Sequence, residues 1–201
     1  MEAPDDFMEA WAPRAAPGRA LDLGAGRGQV AHWLARRGFQ VDAVERSWPT
    51  YVALRWTCRG LPVRPLLRDI RSFAPEPAAY NPIAALAVLH FLPSTALAPL
   101  CRRLSEALIP GGLIVVTAFS TDDPGLAPLK AAGSPELDPN TYRVPPPIDT
   151  LHFFKRGELA GLFAGLEVLA EEPYRWLGPT SPAGHHAGIR FAARRPDSPG
   201  V

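Results

Sequence analysis

The sequence predicts an α/β fold: a doubly wound, mostly parallel sheet of seven strands, the last one antiparallel, with helices on both faces. Three observations carry this. Strand-like apolar runs alternate with amphipathic stretches from Arg19 to Phe119. Two of the runs, Ile83 to Leu89 and Leu113 to Phe119, are apolar almost throughout, as parallel strands buried on both faces must be. The first run, Arg19 to Leu23, passes into a helix through glycines at alternate positions, Gly24, Gly26 and Gly28. Glycine tolerates positive φ and lets backbone approach a ligand, and the turn aims free N–H groups at it.

Bulk properties narrow the class. The chain has 201 residues, 47% of them apolar, enough for a proper core. A formal net charge of +1 gives no general basic surface for nucleic acid. Two isolated cysteines, Cys58 and Cys101, fit a reducing compartment rather than a disulfide framework. The acidic N-terminus shows no export pattern, and no apolar run is long enough to span a membrane. A cytoplasmic protein, monomer or homodimer, acting on a small molecule is expected. No spacing of Cys, His and carboxylates suggests a metal site.

The elements follow in order. Asp5 to Trp11 reads as a short capped helix over a ligand cleft. Arg19–Leu23 is the first strand, and the helix after it carries Val30, Trp33 and Leu34 and stops at Gly38 behind Arg36 and Arg37. Gln40–Glu45 is the second strand. Ser47 caps the next helix, with Pro49 in its first turn and Arg59-Gly60 at its close. Leu61–Leu67 holds two prolines, which puts it at a sheet edge. Ile83–Leu89, a helix over Ser94–Leu108, a Pro110-Gly111-Gly112 turn and Leu113–Phe119 complete the regular pattern. Residues 120–149 are rich in proline, glycine and aspartate without a period. A loop that long is usually functional, and residues 120–152 are expected to form a lid or a substrate-side insertion. Phe153–Leu162 reads as the last helix, and 166–174 and 189–195 as closing antiparallel strands.

The glycine turn is not the full Gly-x-Gly-x-x-Gly dinucleotide fingerprint, because the third position is Gln29. The spacing is Asp22-x-Gly24-x-Gly26-x-Gly28. Glu45 ends the second strand, where an acid would hold a ribose diol. Asp69 follows the third. Turn and acids therefore line one crevice at the carboxyl ends of neighbouring strands.

With these residues the chain resembles the class I S-adenosylmethionine-dependent methyltransferases, whose sheet is Rossmann-like. The motifs are Asp22-Leu23-Gly24-Ala25-Gly26-Arg27-Gly28, Val41 to Ser47, Leu67-Arg68-Asp69-Ile70, Ala85 to Leu92 and Leu108 to Ile114, in the family's order and spacing. The stretches 154–159, 163–168 and 189–194 look like the tellurite-resistance methyltransferase group. The resemblance implies S-adenosyl-L-methionine as cofactor. It assigns Gly24, Ala25, Gly26 and Gly28 to the methionine part, Asp22 to holding the turn and offsetting the ammonium, and Glu45 with Arg46 to the ribose side. Asp69 and Ile70 fall to the adenine edge, and the Leu86 and Ala87 backbones to the methionine amine. His90, just past the fourth strand, is the candidate for orienting or deprotonating the acceptor. His152, His185, His186 and Arg190 are candidates for the substrate pocket. The implied reaction is methyl transfer to a small, soft or anionic acceptor such as a chalcogen oxyanion. A nicotinamide-dependent oxidoreductase and a non-catalytic cofactor-binding protein are the competing readings.

Overall fold

The computed structural model describes residues 6–15, 17–178, 181 and 183–197, so Asp5 lies outside the described residues. Seven strands form the main sheet: β1 (Arg19–Leu23), β2 (Gln40–Glu45), β3 (Val63–Leu67), β4 (Ile83–Leu86), β5 (Leu113–Phe119), β9 (Glu167–Leu177) and β10 (His185–Arg194). Their spatial order is β3-β2-β1-β4-β5-β10-β9. β10 runs antiparallel to both of its neighbours, and the first five strands pair in parallel. The expected sheet is therefore present, with Pro65 in the edge strand β3 as its chemistry requires.

Alternation along the strands sends side chains to two cores. Ile114, Val116 and Ala118 of β5 pack with helices α4 (Ser94–Ala107) and α6 (Glu158–Leu162). Leu113 and Val115 face the opposite way, toward α1 (Asp6–Trp11), α2 (Gln29–Ala35) and α3 (Trp48–Thr57). Such two-sided burial is why these strands read as continuous apolar runs.

Four expectations need correction. The fourth strand stops at Leu86, and Leu89–Phe91 forms a 3-10 turn. The last helix begins only at Glu158, because Phe153 and Phe154 are buried in extended chain ahead of it. The closing strands are longer than the apolar pattern suggested, since both run through polar residues at one end of the sheet. Residues 120–152 are not a structureless loop. They form α5 (Leu126–Ala131) and a small antiparallel sheet of β6 (Glu136–Asp138), β7 (Thr141–Arg143) and β8 (Thr150–His152) around Leu126, Tyr142 and Phe153. Three-residue strands are too short to show a period.

At the opposite end of the sheet, Asp42 organises an ionic network. Its carboxylate accepts from Arg64 Nε at 2.8 Å, Arg64 Nη2 at 2.7 Å, Tyr80 Oη at 2.8 Å and Arg19 Nη2 at 3.1 Å. Burial alone would raise this carboxyl. The hydrogen bonds from Arg64, Tyr80 and Arg19 together outweigh it and hold Asp42 below the ordinary carboxylate range. Its stabilisation is thus present above the ordinary carboxylate pKa and is lost as pH falls through the lower folded value. Asp42→Ala strands three donors at once, and we expect a loss of about 2–3 kcal/mol, discounted for the exposed Arg64. Urea unfolding at neutral pH measures it; a change below about 0.5 kcal/mol would show the network to be ornamental.

Candidate cofactor and substrate site

The turn after β1 is built by three glycines with positive φ: Gly24 at +66°, Gly26 at +54° and Gly28 at +87°. Each has a different reason. A Cβ on Gly24 would collide with the Val88 side chain, 2.8 Å from its Cβ. One on Gly28 would lie 2.6 Å from Leu54 Cδ1, so this glycine lets α3 close on α2. One on Gly26 would meet nothing nearer than the Gly24 carbonyl oxygen at 3.9 Å, so the space above it is open.

That space is a cavity of about 390 Å³. Gly24, Gly26, Glu45, Arg46, Asp69, Ile70 and Ala87 line it. Glu45 joins the two sides: Oε2 accepts from Gly26 N–H at 3.0 Å and Oε1 from Ser47 N–H at 2.7 Å. A carboxylate has about four lone-pair sites, so a diol still finds acceptors there. Ser47 sits at the N-cap of α3 but makes no side-chain cap bond; its N–H is taken by Glu45 instead. Asp69 lines the cavity while gripping its neighbour, Oδ1 accepting from Arg71 N–H at 2.8 Å and Oδ2 from Arg71 Nε at 3.0 Å. Those hydrogen bonds hold its carboxyl below the ordinary range. Ala87 adopts φ +52°, rare for a residue with a Cβ, and its N–H donates to Thr117. The Ala87 N–H is therefore not available to a ligand.

Ala25, Asp22, Gly28 and Leu86 do not line the cavity. Ala25 N–H donates to the Val44 carbonyl at 2.9 Å. Asp22 is buried, and its Oδ2 accepts from Ala31 N–H at 3.0 Å, tying β1 to the first turn of α2. Burial, with a smaller push from Glu45 against the Ala31 hydrogen bond, raises its carboxyl to about 7. Because the folded value lies above the ordinary 3.8, the folded state keeps a proton that the unfolded state releases. Stability contributed by this residue therefore falls as pH rises from the ordinary value to the raised one. Asp22→Asn keeps an acceptor for Ala31 and carries no charge. Between pH 5 and pH 8 the stability difference should move in favour of the variant by about 2 kcal/mol, read by urea melts at both pH values. An unchanged difference would mean Asp22 is ionised throughout.

The histidines singled out in the sequence lie outside the lining of this cavity. His90 does not line the cavity. The 3-10 turn buries it, 1% exposed, with Nδ1 accepting from Phe119 N–H at 3.3 Å. Burial, then His186 and His152, push its pKa down to about 3, so it is uncharged at neutral pH. The next residue, Phe91, reaches the cavity instead, with Leu92 and Val88. His152 is a structural tie: Nδ1 pairs with Thr141 Oγ1 at 2.7 Å and Nε2 with Glu158 Oε1 at 2.8 Å, joining β8 to β7 and α6. His185 Nδ1 lies 3.2 Å from the Ala183 carbonyl, and neither it nor His186 nor Arg190 lines the cavity. His186 pairs with Asp123 at 3.0 Å, and Arg190 with Asp6 while lying 3.6 Å over the Tyr174 ring. α1 contributes no lining residue either; it packs lower on the sheet, where Phe7 and Met8 are buried. Sequence reasoning missed Pro147 and Ile148, which cross the cavity mouth. Arg46 Nη2 donates to the Pro147 carbonyl at 3.0 Å. Nothing local in the sequence marks a pair a hundred residues from Arg46 as its partner.

The residues present suit an adenosyl cofactor. Gly26 leaves a cradle that any Cβ would enter, a carboxylate stands at the rim for a diol, and Val44, Ile70, Val88 and Leu92 supply flat apolar walls. Among the described residues no helix is long and apolar enough to cross a membrane.

The profile of a family described as a methyltransferase domain matches residues 2–171. An uncharacterized methyltransferase of Mycobacterium tuberculosis is 33% identical over 101 residues, 50% of each chain, and one of Mycobacterium bovis matches to the same extent. The chain thus spans about half the length of the curated relatives it matches. Solved structures share the fold. A SAM-dependent methyltransferase of Methanosarcina mazei superposes with a TM-score of 0.76 at 15% identity, covering 90% of this chain and 94% of that one. TehB of Haemophilus influenzae gives 0.71 at 21%, covering 94% and 61%. The 1,6-didemethyltoxoflavin-N1-methyltransferase of Burkholderia thailandensis, solved with 1,6-didemethyltoxoflavin and S-adenosylhomocysteine, gives 0.66 at 20%, covering 90% and 72%. With its glycine turn, the acids at its strand ends and its sheet order, the chain belongs to the methyltransferase-domain family and has the class I, S-adenosylmethionine-dependent fold.

Proposed function

We propose that this protein transfers the methyl group of S-adenosyl-L-methionine to a small-molecule acceptor. The observation that supports it most is the convergence of Gly26, Glu45, Asp69, Ile70 and Ala87 on one cavity. Glu45 would accept from the ribose hydroxyls, Asp69 and Ile70 would meet the adenine edge, and the Ala87 carbonyl would face the methionine ammonium. When bound, the cofactor would supply an activated methyl carbon for the acceptor's lone pair, with the sulfur as leaving group keeping the C–S bond electrons. The chain's own work is alignment and exclusion of water. Pro147 and Ile148, latched by Arg46, are read as the lid part of the 120–152 insertion, closing the ribose side of the cavity. His90 is buried away from the cavity and made weakly basic by that burial, which argues against it as a general base and favours an acceptor that needs none.

Isothermal calorimetry with S-adenosylhomocysteine tests this. Binding in the micromolar range or tighter is expected, by the usual scale of enzyme ligands. Absence of heat for both that compound and S-adenosylmethionine, at millimolar ligand, would end the proposal.

A further inference from the structure

A formal net charge of +1 hides a strong local imbalance. Residues 46–68 follow β2 and include α3 and the edge strand β3. They hold five arginines and no acid, so the rest of the chain is net acidic. Three of the five are engaged: Arg64 pairs with Asp42, Arg46 donates to the Pro147 carbonyl and Arg68 to the Leu67 carbonyl. Among the described residues Arg55 and Arg59 have no acidic partner.

Those two stand on an exposed face of α3. Trp48, Val52, Arg55 and Trp56 recur at helical spacing, and Arg59 continues the stripe just past the helix. The buried residues Leu54 and Cys58 pack inward, near Gly28. Val52, Arg55, Trp56 and Arg59 line an open hollow of about 340 Å³. Trp48 and Trp56 are 61% and 69% exposed, against 1% for Trp33 in the core. Two indoles left in water on one stripe mark an interaction face. The stripe begins at the cofactor cavity, because Ser47, which precedes Trp48, lines that cavity.

The chemistry of the stripe selects its partner. Unpaired guanidiniums on an acid-free stretch call for anionic groups. A second copy of the same face would set arginine against arginine. All four residues lining the hollow come from α3 and the turn after it, so no second wall makes a channel for a nucleic-acid backbone. A flat anionic surface can reach it. Tryptophan suits the headgroup level of a bilayer, and arginine keeps its charge at the phosphates while its stem lies on apolar surface.

We propose that this face of α3 docks on a bilayer surface rich in anionic phospholipid. Arg55 and Arg59 hold lipid phosphate, and Trp48 and Trp56 enter the headgroup layer. The mouth of the cofactor cavity then stands beside the bilayer. The proposal goes beyond the methyltransferase reading and does not depend on it.

Co-sedimentation of the full chain with vesicles tests it. Vesicles of equal parts phosphatidylcholine and phosphatidylglycerol should bind at least about tenfold more tightly than phosphatidylcholine alone, and added salt should shrink that preference. Each arginine near an anionic surface is worth about fivefold, so Arg55→Gln/Arg59→Gln should weaken binding to the anionic vesicles about twentyfold. Trp56→Ala should weaken it about tenfold. Lipids brominated in the acyl chain should quench tryptophan fluorescence in the wild type and do so less in Trp48→Phe/Trp56→Phe. None of these side chains lines the cofactor cavity, so every variant should keep wild-type affinity for S-adenosylhomocysteine. Absence of vesicle binding, equal binding to both vesicle types, or binding unmoved by these substitutions overturns the proposal. So does tighter binding of oligo(dT) than of anionic vesicles, or a dimer in sedimentation that Trp56→Ala dissociates, since each gives the face a different occupant. A wild-type chain that binds the vesicles but not S-adenosylhomocysteine refutes the cofactor reading alone.

Discussion

Gly24→Ala is expected to damage both the fold and cofactor binding with a single added methyl group. Two costs combine. A residue with a Cβ at φ +66° is strained by about 1–2 kcal/mol. The Cβ also overlaps the Val88 side chain, an overpacking cost of about 1–3 kcal/mol. Val88 cannot retreat freely, because one of the close atoms is its Cβ, which no rotamer change moves, and its backbone starts the turn that places Phe91. We therefore expect a loss of about 2–5 kcal/mol in urea unfolding and at least tenfold weaker binding of S-adenosylhomocysteine. The double variant Gly24→Ala/Val88→Ala should regain part of the stability, since it removes the Cγ2 overlap and leaves the close Cβ contact at 2.8 Å and the backbone strain. A single variant that melts and binds like the wild type would mean that the turn is looser than its glycines imply.

Glu45→Ala should leave the fold largely intact but weaken cofactor binding about a hundredfold. Charge-assisted hydrogen bonds to a ribose diol are each worth roughly 1.5–3 kcal/mol, and every 1.4 kcal/mol is tenfold in affinity. The carboxylate also fastens Gly26 N–H and Ser47 N–H, so its loss frees the turn as well as the sugar site. Glu45→Gln separates these effects. Its carbonyl oxygen can still accept from one backbone N–H, but the amide end repels the other and brings no charge to the diol. An intermediate loss of about tenfold is expected. Calorimetry on the three proteins ranks them; equal affinity in Glu45→Ala and wild type would take the ribose away from this side chain.

The sheet and the cofactor side were legible because their signals are local. Burial on both faces leaves an apolar run that needs no partner to be read, as in Leu113–Phe119. A turn of three glycines followed by acids at strand ends is likewise written in consecutive residues. What was illegible depends on rotation or distance. His90 and Phe91 are adjacent, and only the 3-10 geometry decides which of them reaches the cavity. Pro147 and Ile148 arrive from far along the chain. The stacking of the Trp176 ring on Phe119 depends on register across β10, which no single strand declares. His152 looked available because imidazole is chemically versatile, yet Thr141 and Glu158 engage both of its nitrogens.

The position of β10 has a consequence for how the molecule is made. This strand lies inside the sheet between β5 and β9, although it is the last of the ten strands among the described residues. On the ribosome, β5 emerges with one edge unpaired and must wait for residues 185–194 to be synthesised. The edge strand β9 cannot dock in its final place before then either. A nascent polypeptide of this kind exposes a bare strand edge throughout elongation, which is the circumstance in which holdase chaperones bind and aggregation begins.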